Sequence, residues 1–424
     1  MSKVIRLTWR ATLDAGIARR DRSPCVYEAY APDPLVGRPI LLDATVAADV
    51  ADAELAIARL DTHAVALTNT DALARLLLRA ESVASSLIEG LEVGGRRLLR
   101  AEAARAIGDD PRDVTADEVL GNIDAMIWSL ESLSPDAPIT VDHLLEMHRR
   151  LLSRTRLSAY AGKIRTEQNW IGGSSYNPCS AQFVPPPPDL VPPLLEDLCA
   201  FCNDDSLPAV AQAAIAHAQF ETIHPFVDGN GRTGRALIHL ILRRRRLATR
   251  IFPPISLILA TRATDYVNGL SATRHIGAPG SILARAGLNS WIAFFAAACT
   301  RATADATTFE DRTRELELGW RARLGKVRAN SATDRMLRVL PGAPILTVTG
   351  AAALVGRSFQ ATNDAIAQLV AAGILSPVNV GARRNRAFEA IEVIDGFADL
   401  ERQLASPEGD TLRSPPARAV PYRR

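Results

Sequence analysis

The chain has 424 residues, enough for more than one domain and at least one large core. At 47% hydrophobic and 23% charged it has the balance of a soluble globular protein, which excludes a fibrous or wholly disordered chain. A net charge of +2 singles out neither nucleic acid nor a membrane surface as partner.

The opening stretch MSKVIRLTWRATLDAG has neither the apolar run nor the small-residue site of a secretory leader, so a cytoplasmic protein is expected. Residues 1–45, with Pro24, Pro32, Pro34 and Pro39, read as irregular. From 46 to 107, and again through 115–157, Ala, Leu, Arg and Glu with apolar spacing near 3.6 predict helices. A break follows from about 160 to 193. Gly172-Gly173 and Asn177-Pro178 are turn signals between the β-prone pieces NWI and AQFV, so a hairpin or flap is expected, closed by the stiff run Pro185–Pro188.

Helices resume over 190–204 and 208–223. Cys199 and Cys202 fall on the apolar side of the first of these and read as packing residues, and five cysteines in a long chain predict no disulfide framework. The next helix, 232–246, is apolar through ALIHLIL and should be central to the core; its end, Arg243 to Arg246, reads as a solvated helix terminus. Further helices are expected over 263–275 and 288–328. The longest apolar runs, ALIHLIL and WIAFFAAAC, are too short to cross a bilayer. From 332 to 395 a short helix, a turn, a second helix and two strands follow in the order of a winged helix, with DNA as the partner such a unit admits. The tail 396–424 is expected to be largely disordered. The expected division is a helical region 1–110, a core 111–300, a helical linker 301–331, the small unit 332–395 and the tail.

The chemistry concentrates in HPFVDGNGRTGR, residues 224–235. Gly229-Asn230-Gly231 lets the backbone bend and approach a ligand. The helix that starts near Arg232 aims its free N–H groups and dipole at the turn, which makes an anion cradle. Arg232 and Arg235 are one helical turn apart and can face one anion. Asp228 beside a polyphosphate is a natural oxygen ligand for Mg²⁺. His224 is the nearby group able to take a proton at neutral pH. Together these point to phosphate-ester chemistry.

The stretch resembles the signature of the Fic (Fic/Doc) family, His-x-Phe-x-(Asp/Glu)-Gly-Asn-Gly-Arg-x-x-Arg, at every defined position. GKIRTEQNWIGG…AQFVPPPP is similar to the family's flap and WIAFF to its closing core helix. The resemblance implies a mainly α, Fic-type helical core with a short β-hairpin flap, and transfer of AMP from ATP to a Ser, Thr or Tyr hydroxyl of a target protein. Carried onto this chain, His224 would be the base, Asp228 the Mg²⁺ ligand, and Gly229, Asn230, Gly231, Arg232, Thr233, Gly234 and Arg235 the phosphate site. Tyr266 stands where family members often contact the nucleoside, and equally suits a packing tyrosine. Phe183 and Val184 would belong to the target-docking flap. SSLIEG, residues 85–90, is similar to the family's inhibitory pattern through Ser85, Glu89 and Gly90, which implies an autoinhibited enzyme in which Glu89 pairs with Arg235. Gly90 suits a helix C-cap.

Three readings stay open on the sequence: AMP transfer, AMP removal with Glu89 orienting a water, and a nucleotide-sensing DNA-binding regulator. The helix QATNDAIAQLVAAG carries no Lys or Arg for phosphates. A homodimer is compatible with the sequence. His217 reads as a packing residue, and His63, His143, His148, His239 and His275 lack metal-ligand companions at useful spacing.

Overall fold

The computed structural model describes residues 1–10, 19–65, 70–106, 108, 113–135, 137–380 and 385–396. In chain order these hold β1 (Lys3–Trp9), α1 (Arg19–Arg22), β2 (Cys25–Ala31), α2 (Ala44–Val65), α3 (Thr70–Ile88), α4 (Gly95–Ala106), α5 (Val114–Ser132) and α6 (Val141–Leu152). Then come α7 (Val191–Cys202), α8 (Ala209–Ile223), α9 (Asn230–Arg244), α10 (Ile255–Thr261), α11 (Ala263–Ala272) and α12 (Ile282–Leu324). The series ends with α13 (Ala332–Val339), β3 (Ile345–Thr347), α14 (Val348–Val355), α15 (Phe359–Ala371), β4 (Ser376–Val380) and β5 (Asn385–Glu389). The mainly helical class expected from the sequence is the one observed.

The chain forms two compact units. One comprises 1–54, 128–246 and 264–297; the other comprises 55–127, 247–263 and 298–424. In the first, α8 is the central element. All fifteen of its residues are buried, which its small side chains Ala209, Ala211, Ala213, Ala214, Ala216 and Ala218 permit by letting neighbours approach closely. Trp291 of α12 is fully buried and donates its Nε1–H to the Ala214 carbonyl at 2.8 Å. α9 is buried from Asn230 through Leu242. Its terminal arginines hold carbonyls and carboxylates within the unit: Arg244 bonds Asp205 at 2.5 Å, and Arg245 bonds the Leu207 carbonyl at 2.8 Å and Gln212 at 2.7 Å.

The second unit packs Trp320, Met336, Leu337, Leu340, Ile366, Leu369 and Phe388 into one core. Its sheet has the order β3-β5-β4, all antiparallel, with Val378 opposite Ala387. The expected helix, turn, helix and two strands are present, with α13 and β3 added. Residues 381–384, between the last two strands, and the tail from 397 lie outside the described residues.

Several expectations are corrected. Residues 1–45 are not irregular throughout: β1 and β2 pair antiparallel, with Lys3 opposite Ala31 and Trp9 opposite Cys25. Ala29 and Ala31 are buried on alternate positions of β2, and the four prolines all lie outside the strands, where they remove no ladder bond. Cys25 and Cys179 form a disulfide; an odd total says nothing about one pair 154 residues apart. Cys199, Cys202 and Cys299 are free and buried, and burial pushes the Cys199 thiol up to about 12, as suits packing residues. α10, which no sequence expectation covered, follows Pro253-Pro254. Residues 288–328 are mostly part of a single 43-residue helix. By length and composition α12 could cross a membrane, which its separate apolar runs could not. Half of its most apolar stretch is buried within the protein.

Candidate active site

α8 ends at Ile223, and His224 caps it in the left-handed region at φ 49°, ψ 61°. A side chain bearing Cβ is uncommon there and persists only when its surroundings hold it. The surroundings here are hydrogen bonds from the flap. Arg165, 3% exposed, donates to the His224 carbonyl at 2.9 Å and to the Pro186 carbonyl at 2.5 Å, and its own N–H reaches the Pro225 carbonyl at 2.9 Å. Asn169 donates to the carbonyls of His224 at 3.2 Å and Phe226 at 3.0 Å. Burial pulls the Arg165 guanidinium down to about 10, still well above neutral pH.

The next link is closed from α9. Asn230 accepts the Phe226 N–H at 2.8 Å and donates to the Phe226 carbonyl at 2.9 Å. The Phe226 ring is fully buried and stacks on His148, centroids 3.7 Å apart. His148 donates from Nε2 to the Asp228 carbonyl at 2.9 Å and accepts the Gly162 N–H at Nδ1 at 3.0 Å. Those two bonds fix its tautomer, and burial pushes its pKa down to about 4, so it is a neutral strut.

The turn bends at Gly229, φ 76°, where a Cβ would meet Leu151 Cδ2 at 2.9 Å. α9 begins at once, with its first-turn N–H groups directed out of the helix end. Arg232 is 4% exposed. Its Nη2 lies 3.6 Å from Asp228 Oδ2, while Nε and Nη1 have no hydrogen-bond partner among the described residues, nor has Thr233 Oγ1. A buried guanidinium with open donors at a helix N-terminus fits a bound anion, because an unpaired buried charge is costly. Asp228 is half exposed beside it.

No group of three His, Cys, Asp or Glu side chains able to hold a metal gathers among the described residues. A single carboxylate next to an anion cradle nevertheless suits Mg²⁺, which is ordinarily bound through one or two carboxylates plus substrate phosphates and water. The His224 imidazole is 19% exposed, with Nδ1 3.9 Å from Glu221 Oε2.

Arg235 is 1% exposed, with Nη1 3.5 Å from the Tyr266 hydroxyl. Tyr266 is 4% exposed and bonds His217 Nε2 at 2.8 Å, and both rings face Trp291. Full burial, with Arg235 nearby, pushes the His217 pKa down to about 3. The structure thus places Tyr266 in a packed polar cluster behind α9.

In the flap, Ile171 and Phe183 exchange both backbone hydrogen bonds, at 2.8 and 3.2 Å. The Val184 carbonyl accepts the Tyr30 N–H of β2 at 2.9 Å, and the Arg274 guanidinium lies 3.5 Å from the Phe183 ring centroid. Phe183 and Val184 are thus tied to the rest of the unit, while Trp170 is half-buried with its ring edge-on to Trp9 and Gly172 is exposed at φ 73°.

The segment 85–90 closes α3 within the second unit. Ser85 is fully buried and Glu89 is exposed. Gly90, at φ 82°, ends the helix: its N–H bonds the Leu87 carbonyl at 2.9 Å and the Leu91 N–H bonds the Ser86 carbonyl at 3.0 Å, a Schellman motif.

Sequence reasoning missed His148, Arg165 and Asn169. Each acts through a bond to residues 55 to 80 positions away, and no local pattern marks such a role.

Residues 138–242 match the Fic/DOC family and residues 47–131 match the Fic/DOC family N-terminal segment. Over 133 residues, 31% of this chain and 23% of the relative, the chain is 41% identical to protein adenylyltransferase fic-1 of Caenorhabditis briggsae. Over 153 residues, 35% of this chain and 28% of the relative, it is 33% identical to protein adenylyltransferase Fic of Drosophila willistoni. The match thus spans about a quarter of the length of these curated relatives. A Fic family protein from Desulfovibrio desulfuricans G20 shares the fold, with a TM-score of 0.50 at 20% identity, over 83% of this chain and 97% of that one.

Proposed function

We propose that this chain, which belongs to the Fic/DOC family, is a protein adenylyltransferase that moves AMP from ATP to a hydroxyl of a protein target. The observation that carries the reading is the buried Arg232 with open donors at the first turn of α9, eight residues after a histidine held at the mouth of the same turn. An anion cradle and a base side by side are what transfer of a nucleotidyl group to a hydroxyl requires.

In this reading His224 takes the proton of the target hydroxyl as its oxygen attacks the α-phosphorus. Arg232, the N–H groups of Asn230 and Gly231, and Arg235 hold the polyphosphate, with Thr233 and Gly234 completing the first turn. Asp228 would hold Mg²⁺, which supplies charge neutralisation of the phosphates when bound. The bonds from Arg165, Asn169, Asn230 and His148 keep the turn in shape before substrate arrives, so little reorganisation is left for the reaction itself. The target docks as an added strand on the flap, residues 168–184. Gly231 stands where a phosphoryl-transferring relative carries lysine, which favours AMP over phosphoryl transfer.

Glu89 is the inhibitory carboxylate in this reading, on the resemblance of SSLIEG to the family's inhibitory pattern. The test is Glu89→Gly assayed in both directions. Faster AMP transfer to target or to the chain itself supports the reading. Loss of AMP removal from a premodified target, with no gain in transfer, assigns the chain to removal instead. Cytoplasmic location belongs to the same proposal, and finding the chain outside the cytoplasm would contradict it.

A further inference from the structure

The disulfide between Cys25 and Cys179 is not used by the chemistry above. It joins the start of β2 to the single turn of 3-10 helix Pro178–Ser180 at the tip of the flap. Cys179 is exposed and Cys25 is half-buried, while Cys199, Cys202 and Cys299 are buried thiols. Most other bonds of the tip are local: Ser180 Oγ accepts the Ser174 N–H at 3.0 Å, Asn177 accepts the Cys179 N–H at 3.0 Å, and Trp170 donates to the Ser174 carbonyl at 2.7 Å. Asn177 donates to the Asp21 carbonyl at 2.7 Å, and Gly173 sits at φ 75° against the Ser180 carbonyl, where a Cβ would come within 2.3 Å. The flap's base is anchored independently, by the Ile171–Phe183 bridge and by Tyr30 on Val184. The disulfide is thus the covalent tie between the tip and β2, and the Asn177–Asp21 bond is the polar tie beside it.

We propose that Cys25–Cys179 is a thiol–disulfide exchange site whose reduction frees the flap tip, residues 173–180, and so weakens docking of the target strand. The co-reactant is a dithiol, whether small or carried by a protein. Its thiolate attacks the exposed Cys179 sulfur, the bond to Cys25 breaks, and Cys25 leaves as a thiolate that takes a proton from water. The second thiol of the reductant then resolves the mixed disulfide. It leaves as a cyclic disulfide, and Cys179 leaves as a thiol. Two electrons pass from the dithiol to the protein, and a disulfide oxidant reverses the step. The bonds of the 224–235 turn do not involve either cysteine, so nucleotide binding is untouched. The docking part of this inference rests on the proposed role of the flap; the exchange site does not.

The test uses the full chain, folded, with dithiothreitol as the dithiol. Peptide mapping after thiol alkylation reads which cysteines open, and hydrogen exchange reads the backbone. The expected result is labelling of Cys25 and Cys179 with the three buried cysteines protected, and at least tenfold faster exchange over 173–180 with 209–244 unchanged. Cys179→Ser should show the same exchange pattern without reductant. A disulfide that resists reduction until the chain unfolds overturns the proposal, as does unchanged exchange over 173–180 after reduction. In the transfer assay, reduction should raise the KM for a protein target several-fold and leave the Kd for ATP unchanged. If exchange rises but that KM does not, the flap is not the docking surface; the exchange site stands and the gating claim fails.

Discussion

α3 and α8 both end in a left-handed residue, and they do it with different side chains. α3 ends at Gly90, φ 82°, with open space where a Cβ would be. α8 ends at His224, φ 49°, in a conformation a β-carbon disfavours. The first is the inexpensive solution, since glycine adopts this region freely. The second needs Arg165, Asn169 and Asn230 to hold the backbone around it. Where a chain keeps a disfavoured residue and surrounds it with buried hydrogen bonds, the side chain itself is what the position is for.

The contrast is sharpest at His224 itself. His224→Ala should lower transfer by about 10²–10⁴-fold, the usual range for loss of a general base, with the Kd for ATP within a few-fold of wild type. His224→Gly should lose transfer equally, yet melt above His224→Ala, because glycine relieves about 1–2 kcal/mol of left-handed strain that alanine keeps. Equal melting temperatures for the two variants would remove the backbone half of the argument.

The buried struts give the next effect. His148 and His217 are neutral when folded, with pKa values pushed down to about 4 and about 3 by burial. Both lie below the ordinary histidine value, so the unfolded chain takes up protons first as pH falls. Stability from these groups is complete above about pH 6.5 and is lost as the pH drops from there toward 4. At about 1.36 kcal/mol per pH unit for each group, this amounts to a few kcal/mol per histidine. Urea midpoints should fall steeply between pH 6.5 and 4, and His217→Gln, which does not titrate, should make the fall shallower. A flat midpoint across that range would contradict the assignment.

At the other helix end the expected effects are smaller. Glu89→Gly should raise transfer at least tenfold, an effect of about 1.4 kcal/mol, and adding Arg235→Ala should cancel the gain. If neither AMP transfer nor AMP removal changes, SSLIEG is only a helix end. Gly90→Ala meets no neighbour within 4 Å, so it should cost only the left-handed backbone term, about 1–2 kcal/mol in a thermal melt.

The same contrast explains what was legible in the sequence. Residues 224–235 could be read because the turn is contiguous and its residue types each answer one chemical need. α7, α8 and α9 begin and end within two residues of expectation, since prolines and glycines punctuate them. The struts could not be read, because Arg165 and His148 act on carbonyls, and any backbone offers those. The Cys25–Cys179 pair was hidden for the same reason: its spacing of 154 residues leaves no local trace. β1 and β2 did carry alternation, but Pro24 just before β2 and Pro32, Pro34 and Pro39 after it are loop signals.

One assay reaches the proposed activity most directly. Glu89→Gly is incubated with ATP labelled at the α-phosphate or, separately, at the γ-phosphate, beside the same variant carrying His224→Ala. The expected result is protein-bound label from the α position only, absent once His224 is replaced. Label retained from the γ position, or α-label that persists without His224, would contradict AMP transfer by this turn.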